Sequence, residues 1–467
     1  MRCFWVLASL SILSVSASGA SKPLSEQQPE PQYFTLPPLR EQASIQDNWV
    51  KERREGIPKL LRKYGVDAWL VSQREYAEET VFWSLKSAKE FSARRRTTLL
   101  FFADVPDKKS SNSYKWVDNT PSLWAEIRAA LSAHGAKKIA LDIHPEISFS
   151  SGLHAGELQA VRDGLGPEWA SRFVSKPMLA VEYIATMPEG RAEWYHRLQS
   201  TAWAMISEAF SERVIQPGVT STTDVEWWLR EKLQQMNYTT WFHPDVSIID
   251  EGAWKLSVTD RRSEEVINYG DMLHVDFGVS ALGMNTDTQH LAYVLHPGDT
   301  DDRVPKGLQD GLRKGNRAQD IVVSNMKIGK TGNEILKASL AQMQREGIEG
   351  RVYCHPIGDW GHSAGTLIGM VNLQDKVPIL GDLPLLPNTY YSIELLVNHF
   401  VPELNTTLTF PLEEDVVWDR SAGGKDLESP WKWAFARQSH FHLVRTPSGG
   451  SAESRAAAVD SQGRRDL

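Results

Sequence analysis

Two aspartates stand on neighbouring predicted strands and are the first candidates for chemistry in this chain. Val275 and Phe277 alternate with polar residues and glycine, and residues 286–294 read as a second strand, so Asp276 and Asp287 lie one on each strand. Two ionised carboxylates close together in a half-buried sheet repel and lose hydration, unless one takes up a proton or a cation binds between them. The pair therefore indicates a cation site. The alternative is that Asp276 faces a turn and Asp287 is solvated.

Three later strand-like segments each supply a further metal-competent side chain. The first contains His355 and His362, the second places Glu394 within an apolar strand, and the third does the same with Glu413. An unpaired carboxylate within an apolar strand is costly to desolvate. Four carboxylates and one imidazole would balance two divalent cations. Such ligands suit manganese, cobalt, zinc or iron better than a metal that seeks thiolates.

The order of these residues, Asp, Asp, His, Glu, Glu, resembles that of the pita-bread-fold metallopeptidases: methionine aminopeptidase, aminopeptidase P and prolidase. Asp276 and Asp287 are eleven residues apart, His355 and His362 are seven apart, and both separations match the family. The motifs Leu-His-Val-Asp-Phe-Gly, Thr-Asp-Thr-Gln and His-Pro-Ile-Gly-Asp-Trp-Gly-His-Ser-Ala-Gly resemble an exported, Xaa-Pro aminopeptidase-like branch.

The resemblance implies a site for two divalent metal ions. Asp276 would bind one ion, and Asp287 and Glu413 would bridge both. His355 and Glu394 would complete the other ion. Manganese is the first expectation, with cobalt, zinc or iron as alternatives. Water held between the ions would lose a proton near neutral pH and attack the scissile carbonyl of a peptide.

The same resemblance implies catalytic residues. Glu394 would accept the proton of the attacking water. His362 matches the family's second histidine, which hydrogen-bonds the substrate or the tetrahedral intermediate; the alternative is a core histidine that holds a loop. His243, in the motif Phe-His-Pro-Asp, is a third catalytic candidate because it could reach the site from another loop.

The chain departs from the family pattern at two places that bear on proton shuttling and proline selectivity. Aminopeptidase P and prolidase usually carry a histidine upstream of the first aspartate, where residues 257–260 read Ser-Val-Thr-Asp, and another shortly before the metal histidine, where Arg351 stands. The last ligand also has an alternative, because the sequence around His440 resembles the corresponding methionine aminopeptidase motif. With His440 as the ligand, an imidazole would replace a bridging carboxylate, and the site would hold a single metal ion. Glu413 is favoured, since the acidic pair and the Val-Val-Trp strand after it fit the expected register.

A chain of 467 residues is long enough for two domains. The alternating elements predict an α/β N-terminal domain, which resembles that of the creatinase and prolidase group. The resemblance implies a larger C-terminal pita-bread (creatinase/aminopeptidase) catalytic domain, so the predicted class of the whole chain is α+β. The predicted segments are a signal peptide at 1–20, a mobile lead-in at 21–44, the α/β domain at 45–185, the pita-bread domain at 186–447 and a disordered tail at 448–467.

Sequence patterns also predict individual helices. One amphipathic helix ends at Tyr64-Gly65, and a long one that includes Trp194 and Phe210 stops at Pro217-Gly218. Thr223 and Glu226 have the spacing of a capping box that starts the next helix.

Composition and charge restrict the partners and the compartment. The net charge is -8 and the chain has no basic run, so it lacks the positive surface that binds nucleic acid or an anionic membrane, and neither partner is expected. Residues 1–20 have one basic residue, a short apolar run and small residues near Ala17 and Ala20, which predicts a secretory signal peptide and a secreted protein. Cys354 would then be the lone cysteine, so no intramolecular disulfide is expected.

Two classes of function follow from these patterns. The leading prediction is an exported dinuclear metal-dependent exopeptidase, Xaa-Pro aminopeptidase- or dipeptidase-like, which hydrolyses the N-terminal bond of a short peptide with a metal-bridging hydroxide. Because the family often forms dimers, a homodimer is also expected. The alternative is a non-peptidase member of the fold, either a creatinase-like hydrolase or a catalytically weak binding protein. The presence of all five ligand types favours the metallopeptidase. The absence of the family's two other histidines favours the alternative.

Overall fold

The structure is a computed structural model and describes residues 29–250, 264–300, 303–419 and 430–445. The α-helices of these ranges are α1 (Leu39–Tyr64), α2 (Thr80–Leu85), α3 (Ser122–Ala133), α4 (Ala155–Leu165), α5 (Pro167–Ala170), α6 (Pro177–Ala185), α7 (Arg191–Ala209), α8 (Thr222–Gln235), α9 (Lys306–Asn325) and α10 (Gly332–Arg345). Across the ranges described, no helix is long and apolar enough to span a lipid bilayer.

The strands form one small and one large sheet and a two-stranded ribbon. They are β1 (Ala68–Arg74), β2 (Arg96–Phe102), β3 (Ser113–Val117), β4 (Ile139–Leu141), β5 (Phe173–Ser175), β6 (Asp245–Ile249), β7 (Met272–Asp276), β8 (Ser280–Ala281), β9 (Met284–Asn285), β10 (Gln289–Val294), β11 (Glu349–Val352), β12 (His355–Ile357), β13 (Tyr390–Val401), β14 (Thr406–Trp418), β15 (Trp431–Trp433) and β16 (His442–Val444). β8 and β9 make the ribbon.

The small sheet belongs to the N-terminal half of the chain and has the order β3-β2-β1-β4-β5. β1 pairs antiparallel with β2 and parallel with β4, so the sheet is mixed. Trp69 and Val71 face one core, and Ala68 and Leu70 face another, because successive side chains of a strand point to opposite sides. A sheet buried on both faces requires helices on both sides, as the predicted α/β domain has.

The predicted mobile lead-in at 21–44 is wrong for the part that the structure describes. α1 begins at Leu39, within the predicted lead-in. Ahead of it, the main-chain N–H of Gln32 donates to Ser200 Oγ of α7 at 2.9 Å. The polar, proline-rich composition suggested a free segment, but main-chain hydrogen bonds to a neighbouring helix do not require apolar side chains.

The large sheet has the order β11-β13-β14-β10-β7-β6, with β12 paired to β13, β15 to β14 and β16 to β10. β7 and β10 are antiparallel neighbours, as expected from the alternation around Val275. One face of the sheet packs on α9 and α10 through residues such as Ile393 and Leu395. The other face packs on α7 and α8 through residues such as Leu273 and Val275. Helices therefore cover both faces of the large sheet.

Close contact between α9 and the large sheet depends on two glycines. A Cβ on Gly311 would lie 2.2 Å from the Phe410 ring, and one on Gly315 would lie 2.3 Å from Leu412 Cδ1. Any larger residue would therefore push α9 away from β14. This contact holds the strand that carries Glu413.

The capping box of α8 lies two residues before the predicted one. Ser221 is the N-cap residue: its Oγ accepts from the main-chain N–H of Asp224 at 3.2 Å, and the Asp224 carboxylate accepts from the N–H of Ser221 at 2.8 Å. The prediction that Thr223 and Glu226 form the box is wrong. Ser221-Thr-Thr-Asp has the same spacing of hydroxyl and acid, and the helix begins at the earlier of the two.

Replacing Ser221 by alanine is expected to lower the free energy of unfolding by about 1 kcal/mol, because the first turn of α8 loses its acceptor. Denaturant unfolding measures this change. Thr223→Ala is the matched control, and it should change stability by less than about 0.5 kcal/mol because Thr223 is not the cap residue. Equal losses in the two variants would contradict the assignment.

Several predictions concern residues outside the described ranges. These are the signal peptide at 1–20, the Ser-Val-Thr-Asp segment at 257–260 and the tail at 448–467. The domain boundaries also stay predictions, although the small sheet lies between residues 68 and 175 and the large one between 245 and 444.

Candidate metal centre

One row of polar side chains crosses five strands of the large sheet. Asp245 on β6 lies opposite Asp276 on β7, and Asp276 lies opposite Gln289 on β10. Gln289 lies opposite Glu413 on β14, and Glu413 lies opposite Glu394 on β13. Residues directly opposite each other in antiparallel strands share a face and have Cβ atoms about 5 Å apart. The sheet register therefore brings together acids that are far apart in the sequence.

His355 joins this row from β12. Its Nε2 is 3.4 Å from Glu413 Oε1, 3.6 Å from Asp287 Oδ2 and 4.0 Å from Glu394 Oε2. Asp287, His355 and Glu413 are buried, and each offers one ligand atom within 4.8 Å of the other two. The sequence alternative in which Asp287 is solvated is wrong, because the side chain is 6% exposed.

The protonation of the cluster reflects its crowding. Burial raises the pKa values of Asp276, Asp287 and Glu394 well above those of ordinary carboxylic acids, and the negative charge of Glu413 raises them further. A bound cation would oppose both effects, because it favours the ionised form of each acid.

The donor atoms of the cluster fit a divalent metal ion. Asp276 Oδ1, Asp287 Oδ1 and His355 Nε2 are buried and lack a well-aligned hydrogen-bond partner among the described residues. A buried polar atom that stays unpaired is costly, so these atoms point to a further group in the site. Carboxylate oxygens with one imidazole nitrogen suit a first-row divalent ion. Which of Asp276, Asp287, His355, Glu394 and Glu413 bind metal stays a prediction.

Glu413, and not His440, is the residue that the structure brings into the cluster. Glu413 is 1% exposed and lies within the large sheet. His440 is exposed, and its Nδ1 is 2.9 Å from Ser439 Oγ. The acidic pair and the strand register therefore indicated which of the two residues lies in the cluster, and the role of Glu413 as a metal ligand stays a prediction.

His362 lies at the rim of the cluster. Its ring centre is 4.7 Å from that of His355, with the two rings nearly perpendicular, and 5.1 Å from that of Trp241. Partial loss of hydration and the charge of His355 lower the pKa of His362 to about 4, so the imidazole is neutral at neutral pH. The residue is exposed, which places a hydrogen-bonding group between the buried acids and the solvent.

His243 lies beside α8. Its Nε2 is 3.3 Å from Glu226 Oε2, its Nδ1 is 3.3 Å from Arg230 Nη1, and its ring packs on Trp227. Asp245, two residues later, is the residue that lies opposite Asp276. The catalytic role of His243 stays a prediction, and its contacts do not support it.

Asp415 positions Asp287, a role that was not predicted from the sequence. Its Oδ2 accepts from the main-chain N–H of Asp287 at 3.1 Å and from the hydroxyl of Tyr195 at 2.8 Å. Strand alternation could have found it, because Asp415 stands two residues after Glu413 and shares its face. Asp415 therefore holds the segment that presents Asp287.

Asp359 anchors the loop between His355 and His362 to both halves of the chain. It forms buried ion pairs with Arg53 of α1 and Arg191 of α7, and it accepts from Ser84 Oγ of α2 at 2.9 Å. Burial alone would raise the pKa of Asp359, but the two arginines hold it well below the ordinary value. The pairs cross long sequence distances, so local patterns could not reveal them.

Several solved structures resemble the described chain, and they show its fold. The X-Pro aminopeptidase of Thermotoga maritima MSB8 shares 14% identity and a TM-score of 0.56 over 83% of this chain and 100% of that one. The dipeptidase of Pyrococcus horikoshii OT3 shares 17% identity and a TM-score of 0.52 over 84% of this chain and 99% of that one. The Xaa-Pro dipeptidase of Bacillus anthracis shares 16% identity and a TM-score of 0.52 over 85% of this chain and 100% of that one. The C-terminal half therefore has the pita-bread fold, as predicted.

The family assignment is specific to that half. Residues 196–419 match the model of metallopeptidase family M24 and form a domain of that family. This match confirms the predicted resemblance to the pita-bread-fold metallopeptidases. The two sheets and the similarity to the Thermotoga maritima structure confirm the α+β class with a smaller α/β N-terminal domain. No curated protein matches the sequence significantly.

Proposed function

We propose that the protein is an exported, metal-dependent exopeptidase that removes the N-terminal residue of a short peptide, with preference for an Xaa-Pro bond. The observation that carries the proposal is the convergence of Asp287, His355 and Glu413 in a buried cluster of a family M24 domain, with ligand atoms close enough together to hold a metal ion. Export rests on the residues 1–20, which read as a signal peptide. The similarity to X-Pro-cleaving enzymes is one of fold and supports the substrate class only as a proposal.

Two ions, with manganese first, are proposed because four acids converge there: Asp276, Asp287, Glu394 and Glu413. Asp287, His355 and Glu413 would hold one ion, with Glu394 beside it, and Asp276 would be the additional ligand of a second. When bound, such ions polarise the scissile carbonyl and make water a stronger nucleophile.

The residues of the chain supply the other parts of the reaction. The Glu394 side chain is 16% exposed and is therefore reached by solvent, so it can accept the proton of an attacking water and return it to the leaving amine. His362 is neutral at neutral pH and can donate a hydrogen bond to the carbonyl oxygen of the substrate. Buried His355 and Asp287 orient the cluster and exclude bulk water from one side.

Aromatic side chains beside His362 support an apolar subsite. The Trp241 ring centre is 4.5 Å from that of Phe242, and Trp241 is fixed because its Nε1–H donates to Thr286 O at 3.0 Å. Such rigid rings can pack against the apolar ring of a proline residue. A preference for Xaa-Pro over Xaa-Ala substrates would follow.

Hydrolysis of an Xaa-Pro dipeptide and an Xaa-Pro tripeptide with added manganese tests the proposal. Glu394→Gln keeps the size of the side chain and removes the proton acceptor, so kcat should fall by about 10²- to 10⁴-fold. Glu349→Gln is the matched control, because Glu349 is an exposed glutamate of the same sheet, and its activity should equal that of the parent. Acetylation of the peptide amine should block cleavage.

A different outcome would favour the non-peptidase alternative. If the purified chain holds no metal and cleaves no peptide but binds a small guanidino compound, the creatinase-like reading replaces the proposal. Arg351, where the family often has a histidine, is exposed, and its guanidinium donates to Val371 O at 3.1 Å.

A further inference from the structure

Gln289 occupies the centre of the row of acids and binds two of the candidate ligands. Its Nε2 donates to Glu394 Oε1 at 2.6 Å and to Glu413 Oε2 at 2.8 Å. Gln289 is 1% exposed, so water does not compete for these hydrogen bonds. One amide nitrogen carries two hydrogens, and here each hydrogen holds one carboxylate.

The oxygens that Gln289 leaves free are the ones that face the imidazole. Glu394 Oε2 is 4.0 Å and Glu413 Oε1 is 3.4 Å from His355 Nε2. Ser392 Oγ also donates to Glu413 Oε1 and supports that side of the carboxylate. Gln289 therefore decides which oxygen of each glutamate points to the position that a metal ion would share with His355.

His274 fixes the orientation of the Gln289 amide. Its Nε2 is 3.0 Å from Gln289 Oε1, and a carbonyl oxygen can only accept, so His274 Nε2 carries the hydrogen. If the amide were reversed, its oxygen would face two carboxylates and be repelled. His274 is 1% exposed on β7, and Ser247 Oγ lies 3.4 Å from its other ring nitrogen.

We propose that His274 and Gln289 form a positioning relay that presets Glu394 and Glu413 for metal binding. The proposal rests on the proposed metal-dependent function and adds two residues that hold the ligands without being ligands themselves. Such outer partners of a metal site typically contribute about 10- to 100-fold to metal affinity. Without the relay, each glutamate would have to be turned at the moment of metal binding, and affinity would fall.

Calorimetric titration of the full chain with Mn²⁺ tests the relay. Gln289→Ala should weaken the tightest binding step by about 10- to 100-fold. His274→Leu should reproduce most of this loss, whereas His274→Gln should restore affinity, because a glutamine amide can again donate to Gln289 Oε1. The double variant Gln289→Ala/His274→Leu should bind no more weakly than Gln289→Ala alone, since both changes remove the same interaction.

Gln73→Ala is the matched control, because Gln73 is also a 1% exposed glutamine but lies in the small sheet. It should leave Mn²⁺ affinity unchanged whatever its effect on stability. Parent-like affinity in Gln289→Ala, or additive losses in the double variant, would overturn the relay while leaving metal binding intact. If Gln289→Ala does not fold, the comparison of His274→Leu with His274→Gln decides: equal affinities overturn the relay. A parent protein that binds no Mn²⁺ would instead overturn the proposed function.

Discussion

His355→Ala is expected to abolish retention of divalent metal and to lower kcat/KM for an Xaa-Pro peptide by about 10³-fold or more. His355 is the imidazole of the three-residue cluster, and its Nε2 lies within 4.0 Å of three carboxylates. A metal that polarises the reacting carbonyl contributes several kcal/mol of transition-state stabilisation, and about 4 kcal/mol corresponds to 10³-fold in rate. Metal analysis after dialysis and steady-state kinetics measure the two effects.

His296→Ala provides the control for this substitution. His296 is an exposed histidine after β10, where it stacks on Tyr269, so its loss should change neither metal content nor turnover. A His355→Ala protein that retains metal and activity at the level of His296→Ala would contradict the role of the cluster.

Asp359→Ala is expected to lower the free energy of unfolding by about 3–5 kcal/mol. The substitution leaves Arg53 and Arg191 as buried cations without their counter-charge, and removal of one partner from a buried ion pair has effects of that size. Because these arginines come from α1 and α7, the loss should loosen the contact between the N-terminal helices and the loop that ends at His362. Denaturant unfolding measures the loss. Asp382→Ala is the control, because Asp382 forms a half-exposed ion pair with Lys376.

The pH dependence of the same ion pairs has a definite sign. The pKa of Asp359 is depressed in the folded protein, so its stabilising effect is fully present above the ordinary aspartate pKa, about 3.9, and is lost as the pH falls through the depressed value. The stability difference between the parent and Asp359→Ala should therefore shrink in acid. Asp359→Ala with less than about 1 kcal/mol of destabilisation at neutral pH would show that the arginines have other partners.

Much of the fold was predictable because its local patterns have a simple physical origin. The alternation around Val275 and the apolar run that contains Glu394 identify strands, since side chains of a strand alternate between faces. Glycine at position 65 has a left-handed φ of 64°, which ends α1 as expected. The order of acids and histidine then identified the family, and the structure brings Glu413 to the place that the motif suggests.

The remaining features depend on which strands become neighbours, and local sequence does not contain that information. Gln289 ends the Thr-Asp-Thr-Gln motif, but the motif does not show which residues it contacts, and only the pairing of β10 with β7 and β14 places it between two acids. Asp359 and Arg53 are separated by 306 residues. His243 was a candidate because it could reach the site from another loop; the structure places its imidazole beside Glu226 of α8, a contact between segments that local sequence does not reveal.

Crystals of the protein soaked with Mn²⁺ and measured at the manganese absorption edge test the central claim most directly. We expect anomalous density within bonding distance of Asp287, His355 and Glu413, and loss of that density in His355→Ala. Active protein whose crystals bind manganese elsewhere, or bind none, would contradict it.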